Sequence, residues 1–72
     1  PGYRGIEPNA DKIMEVLQAT EDGFLSLHDK SKPELIYDTV HLSKKAFKKA
    51  IGTLYKNRQI TIENGVGIYI QK

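Results

Sequence analysis

Between Ser43 and Arg58 the chain carries six cations, Lys44, Lys45, Lys48, Lys49, Lys56 and Arg58, and no acid. Wound as a helix at about 100° per residue, this stretch divides into two sectors. Ala46, Ala50, Leu54, Phe47 and Ile51 share one side, with Tyr55 at its border, and Lys44, Lys48, Lys45, Lys56 and Lys49 occupy the other. The apolar sector has to pack on a core, which leaves the ammonium groups to solvent or to a ligand. An array of point charges suits a polyanion, because each lysine that neutralises a phosphate releases a condensed counterion. The plainer reading is a solvated face that keeps a small protein soluble. Such a face normally intersperses acids, since a glutamate four residues before a lysine stabilises a helix by about 0.2–0.5 kcal/mol and two lysines at that spacing cost a similar amount. Lys44 with Lys48 and Lys45 with Lys49 are pairs of the unfavourable kind, a cost that bound phosphates would remove.

What this set lacks narrows the chemistry further. Reading bases in a major groove depends on arginine forks to guanine and on asparagine or glutamine amides to adenine, whereas lysines act as point charges. Sequence-specific recognition of DNA is therefore disfavoured against binding to the backbone. For about four phosphate contacts the log–log dependence of affinity on salt should have a slope near −3. Gly52 sits in the middle of the lysine sector, where glycine costs about 1 kcal/mol relative to alanine. It either lets a polyanion approach the backbone or relieves crowding against a neighbouring segment. Tyr69 could stack on an unpaired base, a contact worth about 1–3 kcal/mol, or it covers the back of a sheet. Tyr3 and Arg4 invite the same guess. His28-Asp29 and His41 have no second ligand at metal spacing, so no metal or other cofactor is expected. No nucleophile, base and orienting group assemble, and no glycine loop cradles a phosphate, so the chain reads as non-catalytic.

The elements that must hold these residues are few. A chain of 72 residues has room for one domain and buries only about 60% of its unfolded surface. It has no cysteine, which rules out a disulfide frame or thiolate site and suits a reducing cytoplasm. No apolar run approaches the roughly 20 residues of a membrane span. The expectation is a soluble, cytoplasmic, monomeric module. The formal charge of +2 conceals a division: residues 1–42 hold four basic against eight acidic side chains, while residues 43–58 hold the six cations alone. The opening PGYRGIEP reads as a linker over residues 1–8 from a preceding domain, in a piece of a longer protein, with the folded domain at 9–72.

Asn9 is placed to cap a first helix that buries Ile13, Met14, Val16 and Leu17 and runs to about Ala19. Phe24 to Leu27 form a short apolar run that reads as a buried strand. Ser31, Lys32, Pro33 and Glu34 spell a capping box with proline in the first turn. The helix behind it should bury Leu35, Ile36 and Val40 and stop at about Thr39 or Val40. After His41 and Leu42, Ser43 caps the third helix, which extends to roughly Lys56. Two helices so closely joined suggest a helix-turn-helix. Ile60 to Ile70 read as a β-hairpin with Asn64-Gly65 in a type I′ turn. Ile60, Ile62, Ile68 and Ile70 should face the helices, with Thr61, Glu63 and Tyr69 on the other side. The order helix, strand, helix, helix, strand, strand is an α+β winged helix-turn-helix: three helices and a small antiparallel sheet with a β-hairpin wing. That wing, Glu63 to Gly67, has no basic residue and is poorly equipped to enter a minor groove.

The run Phe24-Leu25-Ser26-Leu27-His28-Asp29-Lys30-Ser31, then Pro33-Glu34 and Ile36-Tyr37, then Leu42-Ser43-Lys44-Lys45-Ala46-Phe47-Lys48-Lys49-Ala50-Ile51-Gly52, then Leu54-Tyr55-Lys56, resembles the C-terminal winged-helix domain of the conserved virulence factor B, or YitL-like, family. The likeness covers the chain from Asn9 onward, less distinctively after Ile60. It implies a bacterial cytoplasmic protein in which OB-fold RNA-binding domains of the ribosomal-protein type precede the winged helix. It also implies a post-transcriptional regulator that influences virulence-factor expression, with the winged helix assisting RNA binding. The expected ligand is then single-stranded RNA with weak sequence preference, held by Lys44, Lys45, Lys48, Lys49, Gly52, Lys56, Arg58 and Tyr69. The alternatives are a DNA-binding transcription module and a module that docks a protein or the upstream domains.

Overall fold

The computed structural model describes residues 8–71. Its elements are α1 (Pro8–Ala19), β1 (Phe24–Leu25), α2 (Pro33–Val40), α3 (Lys44–Lys56), β2 (Ile60–Glu63) and β3 (Gly67–Ile70). The order is the one the sequence predicts. Tyr3, Arg4 and the rest of the expected linker up to residue 7 lie outside the described residues, and Pro8 already belongs to α1. Asn9 therefore sits inside the first turn of α1 rather than at its cap. Ala10, Ile13, Met14 and Leu17 form the buried stripe of this helix, at the i, i+3, i+4, i+7 spacing that one helical face requires.

The capping box does not form. Pro33 occupies the first helical position, so the cap of α2 falls on Lys32, which is extended at ψ 141° and makes no side-chain capping bond. Proline drives the residue before it out of the helical region, and this puts Ser31 one residue too early to cap. Ser31 is buried instead, its Oγ accepting from the His28 backbone N–H at 2.9 Å while its own N–H donates to the His28 carbonyl at 3.0 Å. Leu35, expected in the core, is 50% exposed, while Ile36 and Val40, four apart on one stripe, are buried; at about 100° per residue Leu35 lies about 140° from Val40 and cannot share that stripe. Replacing Ser31 by alanine is expected to cost about 1–3 kcal/mol, because the His28 N–H loses its acceptor. Glu34→Gln should change stability by less than about 0.5 kcal/mol. Urea denaturation of both variants separates the loop role of Ser31 from a capping role.

Ser43 does cap α3, its Oγ accepting from the Ala46 N–H at 3.1 Å. Between α2 and α3, His41 adopts a left-handed conformation at φ 60°, and its N–H donates to the Tyr37 carbonyl at 2.8 Å. Leu42 then drops into the core. α3 packs against α1, α2 and β2, with Phe47, Ala50, Ile51 and Leu54 buried along its inner side.

The three strands pair antiparallel in the order β1-β3-β2. β1 is two residues long rather than four, because its register places Leu25 opposite Ile68 and Leu27 would meet Val66, already part of the hairpin tip. Phe24 and Leu25 are half-buried rather than enclosed. Close packing at this corner depends on Gly67, where a Cβ would run into the Leu25 carbonyl oxygen and the Phe24 ring.

The hairpin turn differs from the expected type I′. Pairing ends at Glu63 opposite Gly67, leaving a three-residue loop of Asn64, Gly65 and Val66, closed by the Val66 N–H donating to the Glu63 carbonyl at 3.0 Å. Gly65 has φ +75° and Asn64 has no positive φ, the pattern of a type II rather than a type I′ turn. A two-residue loop would have set Ile60 opposite Tyr69 and split the isoleucines between the two faces, since a one-residue slip turns a strand over. The observed register pairs Ile60 with Ile70 and Ile62 with Ile68, so all four face the helices. Ile60 and Ile68 are fully buried, and Ile62 and Ile70 pack against the core. Thr61 and Glu63 point the other way and are exposed.

Candidate nucleic-acid interface

The orientation of α3 follows from its inner side. With Phe47 and Leu54 at 0% exposure and Ala50 and Ile51 also buried, Lys45, Lys48, Lys49, Gly52 and Lys56 are turned outward and exposed, and Lys44 is half-buried. From Lys44 to Lys56 this face is roughly 18 Å long at 1.5 Å per residue. No ion pair or hydrogen bond engages these lysine side chains among the described residues, so the ammonium groups form a strip uninterrupted by carboxylates. The first turn of α3 contains no acid. Lys44 and Lys45 thus add positive charge to the positive end of the helix dipole, a further cost of about 0.3–1 kcal/mol each. Both this cost and the like-charge pairs disappear when an anion lies along the strip.

Gly52 faces open space: a Cβ there would meet nothing within 4 Å. Relief of crowding therefore does not account for it. Gly52→Ala is expected to stabilise the fold by about 1 kcal/mol, read as a rise in melting temperature. Beside it, Lys48, Ile51 and Gly52 border a cleft of about 230 Å³ closed on the other side by Ile62 and Asn64 of the hairpin and by Asp29.

Arg58 lies beyond the helix, in an unusual conformation. The Arg58 N–H donates to the Tyr55 carbonyl at 3.0 Å and the Gln59 N–H to the Leu54 carbonyl at 2.9 Å, the two bonds of a Schellman end. Arg58 fills the left-handed position of that motif at φ 61°, where glycine is the usual occupant and a side chain costs about 1–2 kcal/mol. It lines a second cleft, of about 410 Å³, together with Tyr55, Lys56 and Gln71.

Tyr69 stands apart from these groups. It is half-buried on the sheet face turned away from the helices and packs on Phe24, its neighbour across the β1-β3 pair, with ring centroids 4.7 Å apart and planes at 41°. The histidines have local roles. His28 Nδ1 accepts from the Lys30 N–H at 3.2 Å, and His41 forms the bend between α2 and α3. Among the described residues no group of three His, Cys, Asp or Glu side chains converges as a metal site, and no helix is long and apolar enough to cross a membrane.

The sequence model of the CvfB-like winged helix domain matches residues 11–69. The chain belongs to this family. It is 53% identical to conserved virulence factor B of Staphylococcus saprophyticus over 70 residues, covering 97% of this chain and 23% of that protein. To conserved virulence factor B of Staphylococcus aureus MRSA252 it is 52% identical over 63 residues, covering 88% and 21%. Among solved structures it superposes, with a TM-score of 0.80 and 36% identity, on a multidomain protein with nucleic acid binding domains from Streptococcus pneumoniae TIGR4, covering 89% of this chain and 22% of that one. The chain thus spans less than a quarter of the length of each of these relatives.

In this CvfB-like winged helix one outward residue escapes the sequence reading. Tyr55, placed at the border of the apolar sector, is 58% exposed. Its wheel angle lies between Ile51 and Lys48, so the pattern alone was balanced. The inner side of α3 is filled by contacts to α1, α2 and β2, and Tyr55 is left among the cations.

Proposed function

We propose that this CvfB-like winged helix is a non-catalytic module that binds nucleic acid, with single-stranded RNA as its ligand. The observation that carries this reading is the strip of Lys44, Lys45, Lys48, Lys49 and Lys56 on the second helix of the helix-turn-helix, with no carboxylate engaged among the described residues. The Streptococcus pneumoniae neighbour with its nucleic acid binding domains supports the ligand class. RNA is the ligand that the family resemblance implies; the residues themselves disfavour base-specific reading of duplex DNA, because the strip carries no arginine or amide fork for base edges and the wing carries no cation for a minor groove. The wider setting proposed is a cytoplasmic bacterial protein regulating gene expression after transcription, including virulence genes. There the winged helix, a monomer on its own, assists OB-fold domains that precede it through the residues before α1.

Titration of the 72-residue chain with a single-stranded RNA and a duplex DNA of matched length, at several salt concentrations, tests this. RNA should bind more tightly, with a log–log salt slope near −3 for about four contacts. Binding without salt dependence, or preference for the duplex, would overturn it. A docking role is the second reading, favoured by Leu35 and Tyr37 on α2, 50% and 59% exposed. Chemical-shift changes confined to α2 on adding the preceding domains, with none along α3 on adding RNA, would establish it instead.

A further inference from the structure

The C-terminal end of α3 combines three features that the lysine strip does not explain. Arg58 occupies a left-handed position suited to glycine, yet its side chain is exposed and makes no ion pair among the described residues. A side chain so placed raises the free energy of the fold with no ion pair or side-chain hydrogen bond to offset it among the described residues, and strain of that kind concentrates where a group serves a ligand. One turn earlier, Tyr55 presents an exposed ring with no aromatic partner or hydrogen bond among the described residues. Both border the 410 Å³ cleft with Lys56 and Gln71, a volume within the roughly 300–1,000 Å³ range of small-ligand sites. Lys56 belongs to the cleft and to the lysine strip alike, so a strand lying along α3 would run into the cleft without a break.

We propose that this cleft is a nucleotide subsite, in which Tyr55 stacks on one unpaired base and Arg58 and Lys56 hold the adjoining phosphate. The proposal rests on the nucleic-acid reading above and names the chemistry of its far end. A tyrosine face accepts any base, because every base has a π surface. A guanidinium is planar and matches two phosphate oxygens at once, which an ammonium does not. The Gln71 amide lies in the same lining and offers both donors and an acceptor to the edge of the stacked base. The strip supplies attraction along its length, and the cleft fixes where an unpaired base sits.

The test uses the 72-residue chain and a short single-stranded RNA containing 2-aminopurine, whose fluorescence is quenched on stacking. Four proteins are compared: the parent, Arg58→Gly, Tyr55→Leu, and a variant with Lys45, Lys48 and Lys49 all changed to glutamate. Arg58→Gly should melt at a higher temperature than the parent, because glycine relieves the left-handed strain, and still bind RNA more weakly, with its salt slope reduced by about 0.7. Tyr55→Leu should keep the parent's salt slope, lose the quenching, and bind roughly 5- to 150-fold more weakly. A more stable protein that binds less well excludes misfolding as the cause. If Arg58→Gly and Tyr55→Leu bind as the parent does and quenching persists, while the triple lysine variant loses binding, the subsite is wrong and the lysine strip stands. If the parent itself shows no salt-dependent binding of RNA, the nucleic-acid reading fails and the subsite fails with it.

Discussion

Changing Lys45, Lys48 and Lys49 to glutamate is expected to lower RNA affinity by at least about 100-fold at 0.1 M salt, because each phosphate contact on a single strand contributes about 0.7 to the log–log slope. At that salt one contact is worth about 0.7 logarithmic units, and three sum to about two. Repulsion between the new carboxylates and the backbone adds to the loss. The slope should fall from near −3 to about −0.7, leaving one of four contacts. All three side chains are exposed and free of ion pairs among the described residues, so stability should move by no more than about 0.5 kcal/mol per substitution, apart from a gain at position 45. Glutamate at position 45, in the first turn of α3, interacts favourably with the helix dipole where lysine does not. Fluorescence anisotropy at four or five salt concentrations, beside a thermal melt, reads both quantities. Parental affinity and slope in a folded variant would remove the phosphate site altogether.

The parts of the molecule legible from the sequence are those where two independent signals coincide. α3 is the clearest case: a serine cap at Ser43 and a 3.6-residue apolar period predict a helix to about Lys56, and the structure has it from Lys44 to Lys56 with the Ser43 bond in place. The hairpin was visible because alternating isoleucines flank Asn64-Gly65. Its turn type was not, since the register is decided by burying Ile60, Ile62, Ile68 and Ile70 together, and that demand overrides the local preference of Asn-Gly for a two-residue loop. At Ser31 two start signals competed, and the proline's fixed φ prevailed over the serine hydroxyl. Leu35 lies off the stripe that Ile36 and Val40 bury, about 140° from Val40 on the helix, and is exposed.

Within the candidate site the lysines could be read from a wheel, because six cations without an acid leave no ambiguity about which side is wet. Tyr55 and Arg58 could not be read that way. The exposure of a residue at a sector border depends on which neighbours arrive, and here α1, α2 and β2 all pack on the other side. Arg58 carries no glycine signature for its left-handed turn. The signal available was indirect: a helix ending at Lys56 and a strand starting at Ile60 leave three residues to turn the chain, a setting in which helices commonly end on a left-handed residue. Tyr69 packs on Phe24 with ring centroids 4.7 Å apart, a neighbour that the alternating strand pattern alone does not reveal.

The lysine strip is directed outward only as long as the inner side of α3 stays anchored, and Phe47→Ala should release it. Phe47 is among the largest fully buried side chains, at 0% exposure, on a helix whose inner side meets α1, α2 and β2. Removing the ring is expected to cost about 3–5 kcal/mol, the transfer free energy of the lost atoms plus the cavity left behind. A domain of 72 residues has a total stability of about 4–11 kcal/mol at about 0.05–0.15 kcal/mol per residue, and small cores fall toward the lower end. The variant should therefore be largely unfolded at 37 °C, with a urea midpoint in circular dichroism near zero at 25 °C. Adding RNA should shift that midpoint upward, because a ligand bound only by the folded state stabilises it by RT ln(1 + [L]/Kd). In the lysine-to-glutamate variant the same RNA should give no such shift. The pair of measurements thus links the two sides of one helix: loss of Phe47 impairs binding by depopulating the fold, and loss of the lysines impairs binding with the fold intact. A Phe47→Ala protein with the parent's urea midpoint would mean that α3 is not anchored on this side, and the outward direction of every lysine on it would be in error.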